Sequence, residues 1–178
     1  PGVSTQQAAQ AARPLRVLML APSVGLGATD MGIIDWCAAA KLAGIQPYLL
    51  TTQFGQDNTR FDDAARHCVV AEHLPNDVRP ADIPRRILRF IERHDIELVH
   101  IMNSKVGFDL LPFLHARVPT VVQFHNEERS GRGYPRHVAS RYDRWVSAYS
   151  VVSTDMAISL ERHGVAASKI HRILLGVD

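Results

Sequence analysis

The stretch Leu15 to Asp30, LRVLMLAPSVGLGATD, constrains the fold more than any other. Its first part is a short apolar run bounded by Pro14 and Pro22, too short for a helix, and it predicts a buried parallel strand. Gly25 and Gly27 then permit a tight loop with exposed backbone N–H groups, and Asp30 can cap or start the helix that follows. A strand, a glycine loop and a helix N-terminus in succession make an anion cradle, because unpaired N–H groups and about half a positive charge of helix dipole converge there. A plain strand-to-helix turn, with glycines present for positive φ, fits the same residues equally well.

The rest of the chain repeats this alternation. Ile33, Ile34, Cys37, Ala38 and Leu42 fall at helical spacing before a stop at Gly44, and Gly32 near the helix start leaves room for a ligand or a neighbouring backbone, packing being the commoner reason for such a glycine. Strands are expected at Ile45 to Thr52, Cys68 to Ala71, Ile96 to Met102, Val118 to Phe124, Tyr149 to Val152 and Ile170 to Leu174. Helical segments are expected around Asp62 to Arg66, from Asp82, from Val106 to His115, and from a Ser153-Thr154-Asp155 cap to Gly164. The helix from Asp82 is amphipathic and basic, with Ile83, Ile87, Phe90 and Ile91 on one face and Arg85, Arg86, Arg89 and Arg93 elsewhere. Those arginines read first as a solvated face and second as a contact with an anionic membrane surface. Gly131 to Tyr142 reads as a mobile basic loop whose Arg132 and Arg136, with Arg129 before it, can meet a phosphate-bearing acceptor.

The fold class is therefore α/β: a Rossmann-like open, mostly parallel sheet with helices on both faces. Ligands of such sheets bind at the carboxyl ends of strands. Three ends carry polar or glycine-rich groups: Gly25 to Asp30, Asn103-Ser104-Lys105, and His125-Asn126-Glu127. A dinucleotide-binding unit is disfavoured, because its third glycine position holds Asp30 and the second strand ends Thr51-Thr52-Gln53, without the acidic residue that holds a ribose.

At 178 residues the chain has the size of one domain, long enough to bury roughly 70% of its unfolded surface. Residues 1–14 are expected to be a flexible tail or linker and residues 15–178 the domain. No apolar run approaches the ~20 residues of a membrane span. Two cysteines without C-x-x-C spacing argue against a disulfide framework or zinc site and for a reducing, cytoplasmic compartment. A formal charge of +2 gives no reason to expect nucleic acid, and the nine histidines show no metal-ligand spacing.

Four segments taken in order, VLMLAPSVGLGATD, ELVHIMNSKVGFDLLPFL, VPTVVQFHNEE and VVSTDMAISLERHGVAASKIHRILLGVD, resemble the N-terminal half of a family 4 glycosyltransferase with the GT-B fold. The likeness runs from Arg16 to Asp178. Ala28 stands where the family usually has a further glycine, Asp30 where Glu is usual, Asn126 where Gly or Asp follows the histidine, and Leu175 where Asn precedes G-V-D. The resemblance implies an acceptor-side domain of a retaining enzyme that moves a sugar from a nucleotide-sugar to an acceptor hydroxyl, with a C-terminal donor-binding domain completing the cleft.

By that resemblance Gly25, Leu26, Gly27, Ala28 and Asp30 form the cleft loop near the donor phosphates. His125 is the catalytic-cleft histidine that holds the donor sugar, and Asn103, Ser104, Lys105, Asn126, Glu127 and Arg129 shape the acceptor side. The nucleotide-sugar is a co-substrate, and no other cofactor and no metal is expected. The acceptor is a sugar, lipid or small molecule, with peripheral contact at the inner membrane face as a minor option. The isolated domain is expected to fold without turning over. A non-catalytic binding module of the same fold and a GT-B-type nucleotide-sugar epimerase half are the alternatives.

Overall fold

The computed structural model describes residues 13–53, 58–125 and 134–173. Seven strands, β1 (Arg16–Ala21), β2 (Gln46–Thr51), β3 (Val70–His73), β4 (Leu98–Met102), β5 (Thr120–Phe124), β6 (Ala148–Val151) and β7 (Ile170–Arg172), form one sheet. The order is β3-β2-β1-β4-β5-β6-β7, and every pairing is parallel. Helices α1 (Ala28–Leu42), α2 (Phe61–Ala65), α3 (Ile83–Arg93), α4 (Lys105–Leu114), α5 (Tyr134–Tyr142) and α6 (Thr154–Arg162) connect them. This is the Rossmann-like α/β fold anticipated from the alternation of short apolar runs and amphipathic segments.

Side chains alternate across the strands and so divide the core into two layers. Leu18, Leu20, Ile101, Val122, Phe124 and Tyr149 face the layer that holds Ile87, Phe90 and Ile91 of α3 with Phe108 of α4, Val138 of α5 and Leu160 of α6. Met19, Ala21, Leu49 and Met102 face the other, which α1 fills with Ile33, Ile34 and Cys37 and α2 with Ala64. Four helices therefore line one face and two the other.

Helix ends follow local chemistry. Ser104 and Ser153 cap α4 and α6 by accepting from the N–H groups of Gly107 and Met156, at 3.2 Å each. Gly44 and Gly164 leave α1 and α6 at φ 74° and 89°, values that suit a residue without Cβ.

Three expectations need correction. The third strand starts at Val70 rather than Cys68, because pairing with Tyr48 fixes its register and leaves Val69 exposed. The basic loop expected to run to Tyr142 gives way at Tyr134 to helix α5, which buries Pro135, Val138, Ala139 and Tyr142. That spacing is helical, and a proline belongs in a first turn. Gly27 does not supply positive φ; its φ is −73°. The cysteines are both free thiols.

Candidate functional site

Chain connections leave β1 towards β2 on one side and arrive at β4 on the other, so the carboxyl ends of β1 and β4 form the topological switch point where open α/β sheets bind ligands. The loop after β1, the residues after β4 and those after β5 lie on three adjacent strands at this edge. The structure thus brings together the starts of all three predicted clusters. Asn126, Glu127, Arg129 and Arg132 lie outside the described residues.

His125 follows β5 and is half-buried. A Cβ built on Gly32 would lie 2.8 Å from its Cε1 atom, so the ring rests against the bare backbone of the second turn of α1. This close approach accounts for the glycine at position 32. The Gln123 side-chain amide donates to His125 Nε2 at 2.8 Å. Burial holds the imidazole below its ordinary pKa, which favours the neutral ring.

Behind His125 lies His100 of β4, buried and edge-on to Trp36 with ring centroids 5.2 Å apart. Burial lowers its pKa to about 4, against a smaller opposing influence of the nearby Gln123 side chain and with a minor lowering by His125. Among the described residues His100 Nε2 and the Ser150 hydroxyl are buried without a partner. Both line a groove of about 560 Å³ that also takes in Gly32, Trp36, Gln123 and His125. Among the described residues no three His, Cys, Asp or Glu side chains converge as a metal site would require.

The loop after β1 is built around Asp30. Gly27 is the N-cap of α1, and its N–H donates to Asp30 Oδ2 at 2.9 Å. A Cβ on Gly27 would fall 2.9 Å from that same oxygen, so the glycine makes this closure fit. The Asp30 carboxylate therefore takes one loop donor for itself and balances the helix dipole from within. The exposed N-terminal turn at Ala28 still offers backbone donors to an anion. Gly25 is buried, while Leu26 is 71% exposed at the loop's outer side.

After β4, Asn103 adopts φ 46°, a left-handed conformation that Asn tolerates better than most residues. It turns the chain sharply into α4. Ser104 is fully buried, and its hydroxyl serves the α4 cap and a 3.0 Å bond to Thr52. Lys105 is exposed and pairs with Asp109 at 2.7 Å. Of the three, Asn103 is nearest in kind to a ligand contact; Ser104 holds the strand end in place.

Gln123 and His100 escaped the sequence reading. A signal was present: Gln123 lies inside an apolar run that predicts a parallel strand, where polar residues are unusual, and His125 follows two residues later, a spacing that puts the two side chains on the same side.

A family model, Glycosyltransferase Family 4, matches residues 32–178. The glycine loop lies outside that match. Among solved structures, Anabaena HepE in complex with UDP is similar at TM-score 0.68 and 19% identity, covering 92% of this chain and 45% of that one. A glycosyltransferase from Rickettsia africae is similar at TM-score 0.66 and 15% identity, covering 93% and 44%. A UDP-N-acetylglucosamine 2-epimerase from Rickettsia bellii is similar at TM-score 0.56 and 13% identity, covering 88% and 44%. The chain thus spans about half the length of the solved structures it matches. No curated protein matches it by sequence. With the match covering most of an all-parallel seven-stranded domain whose polar groups gather at the switch point, the chain belongs to glycosyltransferase family 4.

Proposed function

We propose that this domain is the acceptor-side half of a retaining glycosyltransferase that moves a sugar from a nucleotide-sugar to an acceptor hydroxyl, the donor half being supplied by a further domain. The seating of His125 on Gly32, beside the loop after β1, carries this reading. With Gln123 donating to Nε2, the neutral ring holds its proton on Nδ1, where it can donate to a sugar hydroxyl or ring oxygen. The task of the domain is positioning, together with stabilisation of negative charge by the N–H groups near Ala28. Asn103 borders the same crevice. The resemblance to the UDP-N-acetylglucosamine 2-epimerase supports a second reading, in which the crevice serves epimerisation.

The natural protein, offered a panel of nucleotide-sugars and mixed acceptors, is expected to release nucleoside diphosphate only as sugar reaches an acceptor. His125→Ala should lower that rate at least 100-fold and leave Tm within a few degrees. Diphosphate release without transfer, accompanied by an epimerised sugar, would support the second reading. Unchanged transfer in the variant would remove His125 from the mechanism.

A further inference from the structure

A second concave feature lies far from His125, at the opposite side of the sheet. A groove of about 530 Å³ runs between α3 and the edge strand β3, and Leu50, Leu74, Val78 and Phe90 supply its apolar lining. Five arginines line it: Arg79, Arg85, Arg86, Arg89 and Arg93. Four strand spacings separate β3 from β5, which places the groove about 19 Å from the strand that leads into His125.

Eight of the eighteen described Lys and Arg residues have a carboxylate partner. Arg117 pairs with Glu92, Lys105 with Asp109, Lys169 with Asp143, and Arg79 with Asp82 inside the groove. Arg85, Arg86, Arg89 and Arg93 show no ion pair among the described residues, although Glu72 and Asp77 also line the groove. Arg85, Arg89 and Arg93 recur every four residues and so form a stripe about 12 Å long on α3. Like charges held this close repel one another, and an anion that bridges them relieves that cost. Guanidinium groups match phosphoryl oxygens in a bidentate manner.

A membrane surface fits this arrangement less well. An interfacial helix buries its apolar face in lipid, whereas Ile87, Phe90 and Ile91 are already 0%, 4% and 6% exposed, inside the protein core. The arginines also border a concavity, which suits a discrete anion better than a flat array of headgroups.

We propose that the groove between α3 and β3 is a binding site for a phosphate-bearing small ligand, whose phosphoryl oxygens are held by Arg85, Arg86 and Arg89. The site stands apart from the reading of His125, since it requires no sugar transfer. Its geometry allows it to anchor the phosphate of an elongated substrate or to take a separate effector.

Calorimetric titration of the protein with inorganic pyrophosphate tests this directly. Saturable binding near one per chain is expected, weaker for inorganic phosphate. The Arg86→Gln/Arg89→Gln double variant should lose at least tenfold in affinity, with Arg86→Lys/Arg89→Lys between the two. Arg144→Gln, at an arginine stacked on Trp145, should bind as the parent does. The substituted arginines are exposed, and unchanged Tm values would show that the variants fold. Absence of saturable pyrophosphate binding, or equal binding by the Gln double variant, overturns the proposal. So does arginine-dependent flotation with phosphatidylglycerol vesicles by a protein that does not bind pyrophosphate.

Discussion

Gly32→Ala separates the needs of the helix from those of the site. In the interior of α1 alanine is favoured over glycine by about 1 kcal/mol, so helix propensity alone predicts a more stable protein. The new Cβ would stand 2.8 Å from His125 Cε1, while comfortable carbon contacts are about 3.6 Å. The ring must retreat by about 0.8 Å. It sits at the end of a half-buried side chain, so it can do so, at the expense of its hydrogen bond from Gln123. That loss is worth about 1 kcal/mol, and the two contributions nearly cancel. Tm is expected to stay within about 3 °C of the parent. A displacement near 1 Å at a positioned group can cost about 100-fold in rate, so transfer by the natural protein should fall by that order. In the domain alone, NMR titration of the imidazole should show the His125 pKa rising towards its ordinary value as the ring leaves its half-buried seat. A clear loss of stability with an unmoved His125 titration would show that Gly32 serves packing alone and would refute the reasoning.

The remaining predictions address the frame around this contact. Gly107→Ala would place a Cβ 2.6 Å from Ile101 Cγ2 and 3.1 Å from Leu20 Cδ2; denaturant titration should show a loss of about 1–3 kcal/mol from overpacking, without the change at His125 that Gly32→Ala brings. Ser104→Ala removes the α4 cap and leaves the Thr52 hydroxyl short of a partner, and the same titration should show a loss of about 1–2 kcal/mol. His100 titrates near 6.5 when unfolded and near 4 when folded, so its contribution is fully present above about pH 6.5 and is lost as pH falls towards about 4. Denaturation measured across that window should show His100→Leu to be less acid-sensitive than the parent, and parallel curves would discount the buried imidazole. Asp30→Asn keeps an acceptor for the Gly27 N–H but removes the charge. If the loop faces phosphate, nucleoside diphosphate affinity in the natural protein should rise about two- to fivefold, as expected for a charge worth about 0.3–1 kcal/mol at a helix end.

The sheet was legible because its signals are local. LRVLMLA, ELVHIM and VVQF are short apolar runs between breakers, and parallel strands buried on both faces must look like this. Helix α5 was obscured by RSGRGYPRH, whose glycines, arginines and proline suggest a loop, although the spacing of Pro135, Val138, Ala139 and Tyr142 marks a helical face. The site was legible in position and not in contact. His125, Asn103 and the glycine loop each announce themselves as polar or flexible groups at strand ends, but the meeting of Gly32 with His125 joins residues 93 positions apart. Only the right-handed return of α1 over β1 brings them together.

The same topology also explains why the site has polar residues behind it. A parallel sheet ordinarily has both faces covered, yet among the described residues α1 and α2 are the helices that pack on the face carrying Met19 and Leu49. Beyond α1, towards β5 and β6, that face bears His100, Gln123 and Ser150 beside Val17, Leu98 and Val121, all lining the open groove that reaches His125. Two of these polar groups, His100 and Ser150, have an atom without a protein partner among the described residues, so the packing of this core does not account for them. The amide of Gln123 connects them to the crevice by its bond to the His125 ring. The His125 pKa is lowered by burial, so the basicity of the ring depends on how far this groove is open to water. Covering the groove should lower it further and keep His125 neutral, as a hydrogen-bond donor to a sugar requires.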